Sequence, residues 1–306
     1  MDVSIIVPAY NESRHIASCL TALLEFSPSG LSSEIIVIDN ASEDNTSLIV
    51  HKFPVSLFRL EERVTVSEAR NVGKERSKGK ILVFVDADVI VTPKWSTALS
   101  SNFEELLSSN CISGTEYDLS TTPSWVERYW LTGNKTKKSY INGGNLIISR
   151  KAFLRLNGFD RNKVTGEDVD LCYRMEKLGG KIIDNPNFFV HHEGNPHDLL
   201  GFWRREVWHG IGDTYTLNTM LASKVFLAST LNALFLVFLI CLFATDKTSG
   251  FFITFSAYFL FLSISVVSKY QVMGFVDYVG KLLLFFIYYS ARFFSLFVKK
   301  GFVRRK

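Results

Sequence analysis

Two carboxylates one residue apart carry the residue types most suited to chemistry. Asp86-Ala87-Asp88 follows directly after the β-branched, aromatic run Ile81–Val85. Such a pair at a strand end can bind a divalent cation and a ribose or phosphate together. A nucleoside diphosphate needs such a cation, because charge builds up on its phosphates when it leaves. Alone, however, this spacing is more often a polar strand-to-loop junction.

The elements that must position these carboxylates alternate between short apolar runs and helical patterns. The predicted strands are Val3–Val7, Glu34–Ile38, Val55–Leu60 and Ile81–Val85. Helices are predicted over Ser42–His51 and Ser67–Ser77, the second with Ser67 as its N-cap. This alternation indicates an α/β fold, a mostly parallel sheet with helices on both faces. Such sheets bind ligands beyond the carboxyl ends of their strands, where Pro8–Glu12, Asp39–Asp44 and Asp86–Asp88 are all expected to lie.

Five ordered segments resemble the nucleotide-binding elements of family 2 glycosyltransferases with the GT-A fold. The resemblance covers roughly residues 2–195, and five matches in order are far more specific than one. The segments are Ser4–Glu12, Glu34–Asp44 with Glu68–Asn71, Asp86–Asp88, Gly143-Gly144-Asn145 and Gly166–Leu171. On this basis we expect a glycosyltransferase domain over residues 1–215.

The resemblance also implies a role for each matched residue. Asp88 would bind a divalent metal, Mg²⁺ or Mn²⁺, and Asp86 would contact ribose or metal. Arg70 would lie near the diphosphate or shape the base pocket. The base and ribose of a nucleoside diphosphate, usually uridine, would be held by Pro8, Ala9, Tyr10, Glu12, Asp39 and Ala87. The acceptor or donor loop would be Gly143, Gly144 and Asn145.

A general base is required because an acceptor hydroxyl is a poor nucleophile at neutral pH. The resemblance implies Asp168 as this base, and Glu167 is the competing choice. Glu167 could equally serve only to favour the N-terminus of the predicted helix. One base and a metal-bound leaving group suffice for a single displacement, and the family is an inverting one.

His191-His192 follow the strand-like run Phe188–Val190. Related enzymes often place a histidine here that completes the metal site or touches the diphosphate. Because strand side chains alternate between faces, only one of the two rings is expected to take part. His191 is slightly preferred, and a pair of ordinary solvated imidazoles is the alternative.

The last third of the chain, 216–306, is predicted to be a membrane anchor. Val225–Ala244 and Phe251–Val267 contain no charged residue and can span a bilayer. Leu282–Val298 carries a polar stripe that includes Tyr288, Arg292 and Ser295, and an in-plane amphipathic helix is favoured over a third span. Two spans would return the basic cluster that begins at Lys299 to the cytoplasm.

Composition limits the other function classes. The formal charge of +4 does not favour nucleic-acid binding, and the four scattered cysteines form no zinc or disulfide pattern. We therefore expect an inverting, metal-dependent transferase on the cytoplasmic face of a membrane. It would move a sugar from a nucleotide sugar, UDP-linked by preference, to a lipid-linked or envelope glycan acceptor. Direct transfer to a polyprenyl phosphate is the close alternative, and a non-catalytic membrane scaffold is a second one.

Overall fold

The computed structural model describes residues 1–135, 139–214 and 217–298 of the 306-residue chain. By its internal contacts the chain divides into two compact units. The first comprises Met1–Thr121 and Lys138–Asn195, and the second comprises Thr122–Lys137 and Pro196–Lys306. The predicted domain ranges, 1–215 and 216–306, stay a prediction. The basic cluster from Lys299 onward lies outside the described residues.

The first unit contains nine strands and most of the shorter helices among the described residues. Its strands are β1 (Val3–Ala9), β2 (Ser33–Asp39), β3 (Ser56–Arg59), β4 (Ile81–Val85), β5 (Val89–Val91), β6 (Cys111–Gly114), β7 (Asn145–Ser149), β8 (Lys181–Asp184) and β9 (Val190–His192). Its helices are α1 (Ile16–Glu25), α2 (Thr46–Val50), α3 (Val66–Arg76), α4 (Pro93–Ser101), α5 (Phe103–Ser108), α7 (Arg150–Arg155) and α8 (Glu167–Lys177), while α6 (Trp125–Leu131) belongs to the second unit.

Seven strands form the main sheet in the order β3-β2-β1-β4-β7-β6-β8. The strands β3, β2, β1 and β4 are parallel, and β7 runs antiparallel to both of its neighbours. Alternate residues of one strand enter different cores: Val3, Ile5 and Val7 pack in one, and Ile6 packs in another. The prediction of a mostly parallel sheet covered on both faces is therefore confirmed.

One local prediction about α3 is wrong. The N-cap is Thr65, whose side chain accepts a hydrogen bond from the Glu68 amide at 3.2 Å, and not Ser67. Thr65 has the extended backbone that a cap requires. Ser67 lies inside the first turn, is buried, and donates to the carbonyl of Lys163 at 3.1 Å.

The second unit is helical. After α6 it contains α9 (Leu199–Asp213), α10 (Leu217–Ala222), α11 (Lys224–Ala244), α12 (Thr248–Lys269) and α13 (Phe275–Phe294). Three of its segments are long and apolar enough to cross a membrane: Lys224–Ala244, Thr248–Lys269 and Phe275–Phe297, with mean hydropathies of 2.5, 2.0 and 1.3. These C-terminal apolar helices fit a membrane anchor, and the third one is longer than the stripe predicted from residue 282.

Aromatic side chains form the core of the second unit. Trp130 of α6 packs against Phe202, Tyr270, Phe285 and Tyr288, with ring centroids 4.9–6.1 Å apart. The hydroxyl of Tyr270 also donates to the carbonyl of Trp130 at 2.6 Å. This short helix, although it lies far earlier in the sequence, is thus an integral part of the C-terminal helical unit.

Candidate functional site

Three polar segments meet at the carboxyl edge of the parallel strands, as the alternation of strands and helices predicts. Residues Tyr10–Glu12 follow β1, Asn40–Asp44 follow β2, and Asp86–Asp88 follow β4. Because β2, β1 and β4 are adjacent in the sheet, the three segments are neighbours. Hydrogen bonds join the first two segments, for example from the Asn11 amide to Ser42 Oγ at 3.0 Å.

A buried guanidinium links two of the predicted acidic motifs. Arg70 is 3% exposed, and its NH2 group lies 2.7 Å from Asp86 Oδ1. Its NH1 group lies 2.6 Å from Glu167 Oε1. Each contact is a short, charge-assisted hydrogen bond. Arg70 therefore fixes Asp86 relative to the N-terminus of α8, where Asp168 directly follows Glu167.

Two successive backbone amides hold the two carboxylates on which the chemistry would depend. The Gly143 amide donates to Asp168 Oδ2 at 3.1 Å. The Gly144 amide donates at 2.9 Å to the hydroxyl of Tyr117, which itself donates to Asp86 Oδ2 at 3.0 Å. A Cβ atom at Gly144 would overlap Asp86 and Tyr117, and one at Gly143 would lie 2.6 Å from Arg70 NH1. Glycine is needed at both positions because the carboxylate network approaches the backbone closely.

His192, and not the slightly preferred His191, faces the acidic motif. Its Nε2 atom lies 3.5 Å from Asp88 Oδ2. The ring of His191 points to the other face of β9, where its Nδ1 atom lies 3.0 Å from the Leu119 carbonyl oxygen. Opposite Asp88, Gly194 lies so close that any Cβ atom there would overlap the carboxylate. The expected alternation of the two rings is thus present, with His192 and not His191 on the side of Asp88.

Asp88 and His192 have the chemistry of a partial metal site. Carboxylate oxygen and imidazole nitrogen both suit Mn²⁺, and carboxylate suits Mg²⁺. The Nδ1 atom of His192 is buried and has no hydrogen-bond partner among the described residues. Within the described ranges no cluster of three or more His, Cys, Asp or Glu side chains is gathered. The two side chains are thus suited in their chemistry to a divalent cation but do not complete a metal site by themselves.

Negative charge is concentrated around this pair. Burial raises the pKa of Asp88, and the nearby Asp86 carboxylate adds to the rise. Burial also raises the pKa of Glu12, again with contributions from Asp88 and Asp86. Glu12 contacts His15 at 3.1 Å, and that contact raises the pKa of the imidazole. Accumulated negative charge of this kind favours a cation at the site.

Several predicted nucleotide contacts are placed inside the protein. Asp39 has no exposed surface, and its carboxylate accepts hydrogen bonds from the Ser42 amide and the Ser47 hydroxyl. Pro8 and Ala9 are buried within β1, and Ala87 is 3% exposed. Asn145 is also buried, and its Oδ1 accepts from Trp95 Nε1 at 3.1 Å. Asp39 thus organises the loop after β2, and Tyr10 and Glu12 are the more exposed members of the predicted set.

The competing candidates for general base have different surroundings. Glu167 is buried, and one of its carboxylate oxygens is held by Arg70. Asp168 is partly exposed, and its carboxylate accepts hydrogen bonds from the backbone amides of Gly143 and Val169. Of the two, Asp168 is the carboxylate that an acceptor could reach.

Tyr117 is not among the site residues predicted from the sequence, yet it contacts three of them. Its ring stacks on His192, and its hydroxyl bonds Asp86 and Gly144. Burial raises the pKa of this phenol well above its usual value, which keeps its proton available for donation. Tyr117 belongs to an irregular segment after β6 that resembles no motif, so nothing in the sequence marks it.

Comparison with known proteins agrees with this geometry. The family model described as "Glycosyl transferase family 2" matches residues 4–161, just over half of the chain. Glycosyltransferase AglE of Haloferax volcanii is 29% identical over 239 residues, which cover 73% of this chain and 77% of that protein. Polypeptide N-acetylgalactosaminyltransferase 3 of Drosophila melanogaster is 25% identical over 62% of this chain and 34% of its own length.

Solved structures show the same fold. The mannosyltransferase PcManGT of Pyrobaculum calidifontis, in complex with GDP-Man and Mn²⁺, aligns with a TM-score of 0.54 and 20% identity, over 70% of this chain and 64% of that one. GalNAc-T7 with UDP, GalNAc and Mn²⁺ aligns with a TM-score of 0.51 and 20% identity, over 64% and 45%. Several of these proteins are thus considerably longer than the part this chain matches.

Proposed function

The chain belongs to glycosyl transferase family 2, and from this premise we propose that it moves a sugar from a nucleoside diphosphate to an acceptor at a membrane. The observation that carries the proposal is the pair of successive amides, Gly143 and Gly144. They hold Asp168 directly and Asp86 through Tyr117. The same turn thus positions Asp168, which is suited to activate an acceptor, relative to Asp86, whose motif is suited to bind a donor.

In the proposed reaction Asp168 takes the proton of an acceptor hydroxyl. The freed oxygen attacks the anomeric carbon, and the bond from that carbon to the diphosphate oxygen breaks with its electron pair. A single displacement of this kind inverts the anomeric centre, so an α-linked donor would give a β-linked product. The amides of Gly143 and Val169 orient Asp168 for this step, because each donates to one carboxylate oxygen and leaves that oxygen a second lone pair for the acceptor proton.

On the donor side, Asp88 and His192 would hold Mg²⁺ or Mn²⁺, which when bound neutralises the leaving diphosphate. Asp86, held by Arg70, would face the ribose or the metal. Tyr10, directly after β1, is partly exposed, and its ring would contact the base. A uridine nucleotide is proposed as the donor, although the two aligned structures contain GDP-Man in one case and UDP in the other.

The acceptor is proposed to be lipid-linked or part of an envelope glycan, because the apolar helices of the second unit fit an anchor. The catalytic unit would face the cytoplasm, where nucleotide sugars are available. A polyprenyl phosphate is the second candidate acceptor, and the same helices favour it. Its phosphate oxygen is already ionised, so that reaction needs no base.

Purified full-length protein, with Mn²⁺ and a panel of UDP- and GDP-linked sugars, tests the proposal by nucleotide release. Asp168→Asn should abolish transfer to a hydroxyl acceptor. The control is Asp246→Asn, which should leave transfer unchanged: Asp246 lies in an exposed turn, and asparagine tolerates its positive φ of 53°. Near-normal turnover of Asp168→Asn with polyprenyl phosphate would replace the hydroxyl mechanism by the phosphate one. Absence of metal-dependent binding for UDP, GDP and the other common nucleotides alike would favour the non-catalytic scaffold.

A further inference from the structure

The two most apolar helices form an antiparallel hairpin. Near the turn, the rings of Phe243 and Phe251 lie 6.2 Å apart. Further from it, Tyr258 donates to Asn232 Oδ1 at 2.8 Å. The first residues of α11 and the last residues of α12 therefore lie together, opposite the turn, at what is here called the open end of the hairpin.

Helix α13 starts at this open end. The Gln271 amide, just after α12, donates to the carbonyl of Gly133 at 2.7 Å. Lys281, two turns into α13, is still beside this junction: its Nζ atom lies 4.9 Å from the ring centroid of Tyr270, the residue that caps α12.

The other end of α13 lies at the open end as well. Arg292 NH1 lies 2.8 Å from Asp213 Oδ2 at the end of α9. The other oxygen of Asp213 accepts from the hydroxyl of Ser223 at 3.0 Å, and Ser223 is the N-cap of α11. A helix that crossed the bilayer beside the hairpin would instead bring Arg292 towards the turn.

Contacts with α12 show the same crossing direction. The hydroxyl of Tyr278 donates to Ser263 at 2.6 Å, and that of Tyr289 donates to Ser265 at 3.1 Å. These tyrosines are about 16 Å apart along α13, whereas their partners differ by only about 3 Å along α12. Long tyrosine side chains account for part of this difference, but helices running side by side would give equal steps.

The surface of α13 has the polarity of an interfacial helix. Its charged side chains are paired: Lys281 with Asp277 at 2.7 Å, and Arg292 with Glu206 of α9 at 2.9 Å. Its large exposed side chains are all apolar: Phe275 at its first residue, followed by Val276, Val279, Leu283, Phe286 and Phe294, which recur every three or four residues with one gap at Ser290. Such a stripe is typical of a helix that lies in the interface with its apolar side towards acyl chains.

We propose that α13 lies along one leaflet and does not cross the bilayer, so that the chain has two spans, and that its exposed stripe contacts the acyl chains of that leaflet. The partner of this surface is the lipid itself. This inference rests on the α11–α12 hairpin spanning the membrane and not on the catalytic activity. It therefore stands or falls independently of the sugar transferred.

Cysteine labelling in sealed vesicles tests the topology. In a Cys241→Ser background, which removes the exposed native thiol, single cysteines replace three exposed residues: Asp246 in the turn, Met273 before α13 and Phe297 after it. A membrane-impermeant maleimide should label positions 273 and 297 from one side and 246 from the other. Labelling of 273 and 297 from opposite sides, or of all three from one side, would overturn the proposal, as would protection of 273 or 297 from both sides.

A depth measurement gives an independent result from the same surface. Spin labels at Val279 and Phe294, both exposed, should report equal depths by the ratio of oxygen to nickel accessibility. A crossing helix would separate them by about 22 Å. Leu234 and Phe243 of α11, also exposed, are the matched control and should show a clear depth difference.

Discussion

The ring of Tyr117 stacks on that of His192, with 4.4 Å between centroids and 17° between planes. The same tyrosine holds Asp86 by its hydroxyl. One side chain thus orients both a carboxylate proposed to face the donor and an imidazole proposed to bind its metal. The proposed role of Tyr117 is therefore to position these two side chains.

Tyr117→Phe should separate the two contacts, because it removes the hydroxyl and keeps the stacked ring. Loss of a hydrogen bond to a charged group is worth roughly 1.5–3 kcal/mol, so kcat should fall about 10- to 100-fold. The metal concentration that gives half-maximal activity should stay unchanged. Tyr117→Leu removes the ring too and should raise that concentration. Tyr173→Phe, at an exposed position, is the control; equal effects of Phe and Leu at position 117 would contradict a positioning role for the ring.

Arg70 should be important for stability as well as for activity. Arg70→Met leaves Glu167 buried without its partner, and breaking a buried ion pair costs about 3–5 kcal/mol of unfolding free energy. Burial already raises the pKa of Glu167. The double variant Arg70→Met, Glu167→Gln removes the unpaired charge and should recover part of the loss in denaturant unfolding.

The exposed Arg155→Met supplies the control for Arg70, since it removes an arginine from a helix end without breaking a buried pair. Its unfolding should match that of the unmodified protein. A double variant that is less stable than Arg70→Met alone would show that Glu167 is held by something other than this ion pair.

The two adjacent histidines should differ in their effect on metal dependence. His192→Ala removes the imidazole beside Asp88. Loss of a residue that only supports a metal ligand lowers metal affinity roughly 10- to 100-fold, so the Mn²⁺ concentration for half-maximal activity should rise by at least that factor. His191→Ala, whose ring faces Leu119, should leave it unchanged. A Mn²⁺ titration of the activity of both variants tests this prediction. A larger effect of His191→Ala than of His192→Ala would instead support His191 as the metal-site histidine.

Asp44 should make stability depend on pH in acid. Burial raises its pKa, but hydrogen bonds from Thr46 and Ser13 outweigh that effect and lower the pKa from 3.8 to about 2. The folded state is therefore stabilised by ionised Asp44 above about pH 4, and the stabilisation is lost as the pH falls through about 2. Thermal unfolding midpoints between pH 7 and pH 3 should fall less steeply for Asp44→Asn than for the unmodified protein. Parallel curves would refute this, and the neighbouring exposed Glu43→Gln serves as the control.

The alternation of strands and helices and the position of the acidic loops could be predicted because both depend on local patterns. Apolar runs such as Ile81–Val85 define strands, and a parallel sheet brings their carboxyl ends together. What could not be predicted depends on contacts between distant residues. The burial of Asp39 follows from Ser47 in the next helix, and the choice of His192 follows from the pairing of β9 with β5.

The same limit applies to Tyr117 and to the stripe on α13. An isolated tyrosine in an irregular segment has no periodicity, and only the fold brings it between Asp86 and His192. The polar stripe was visible in the sequence, but its partners, Glu206 and Asp213, lie on a helix some eighty residues earlier. The periodicity of a helix in the sequence shows which of its faces is polar, but it does not show which residues that face contacts.

The place of α6 in the helical unit has a practical consequence for dissecting this protein. Trp130 and Val126 are buried in an apolar cluster whose members all belong to that unit. A polypeptide ended at Asn195 would retain α6 but lose every helix against which it packs, and it would expose an indole and its neighbours to water. Such a fragment should aggregate and be poorly soluble, even though all three candidate membrane spans lie after residue 195. A well-behaved soluble fragment therefore requires α6 to be removed or its apolar face redesigned.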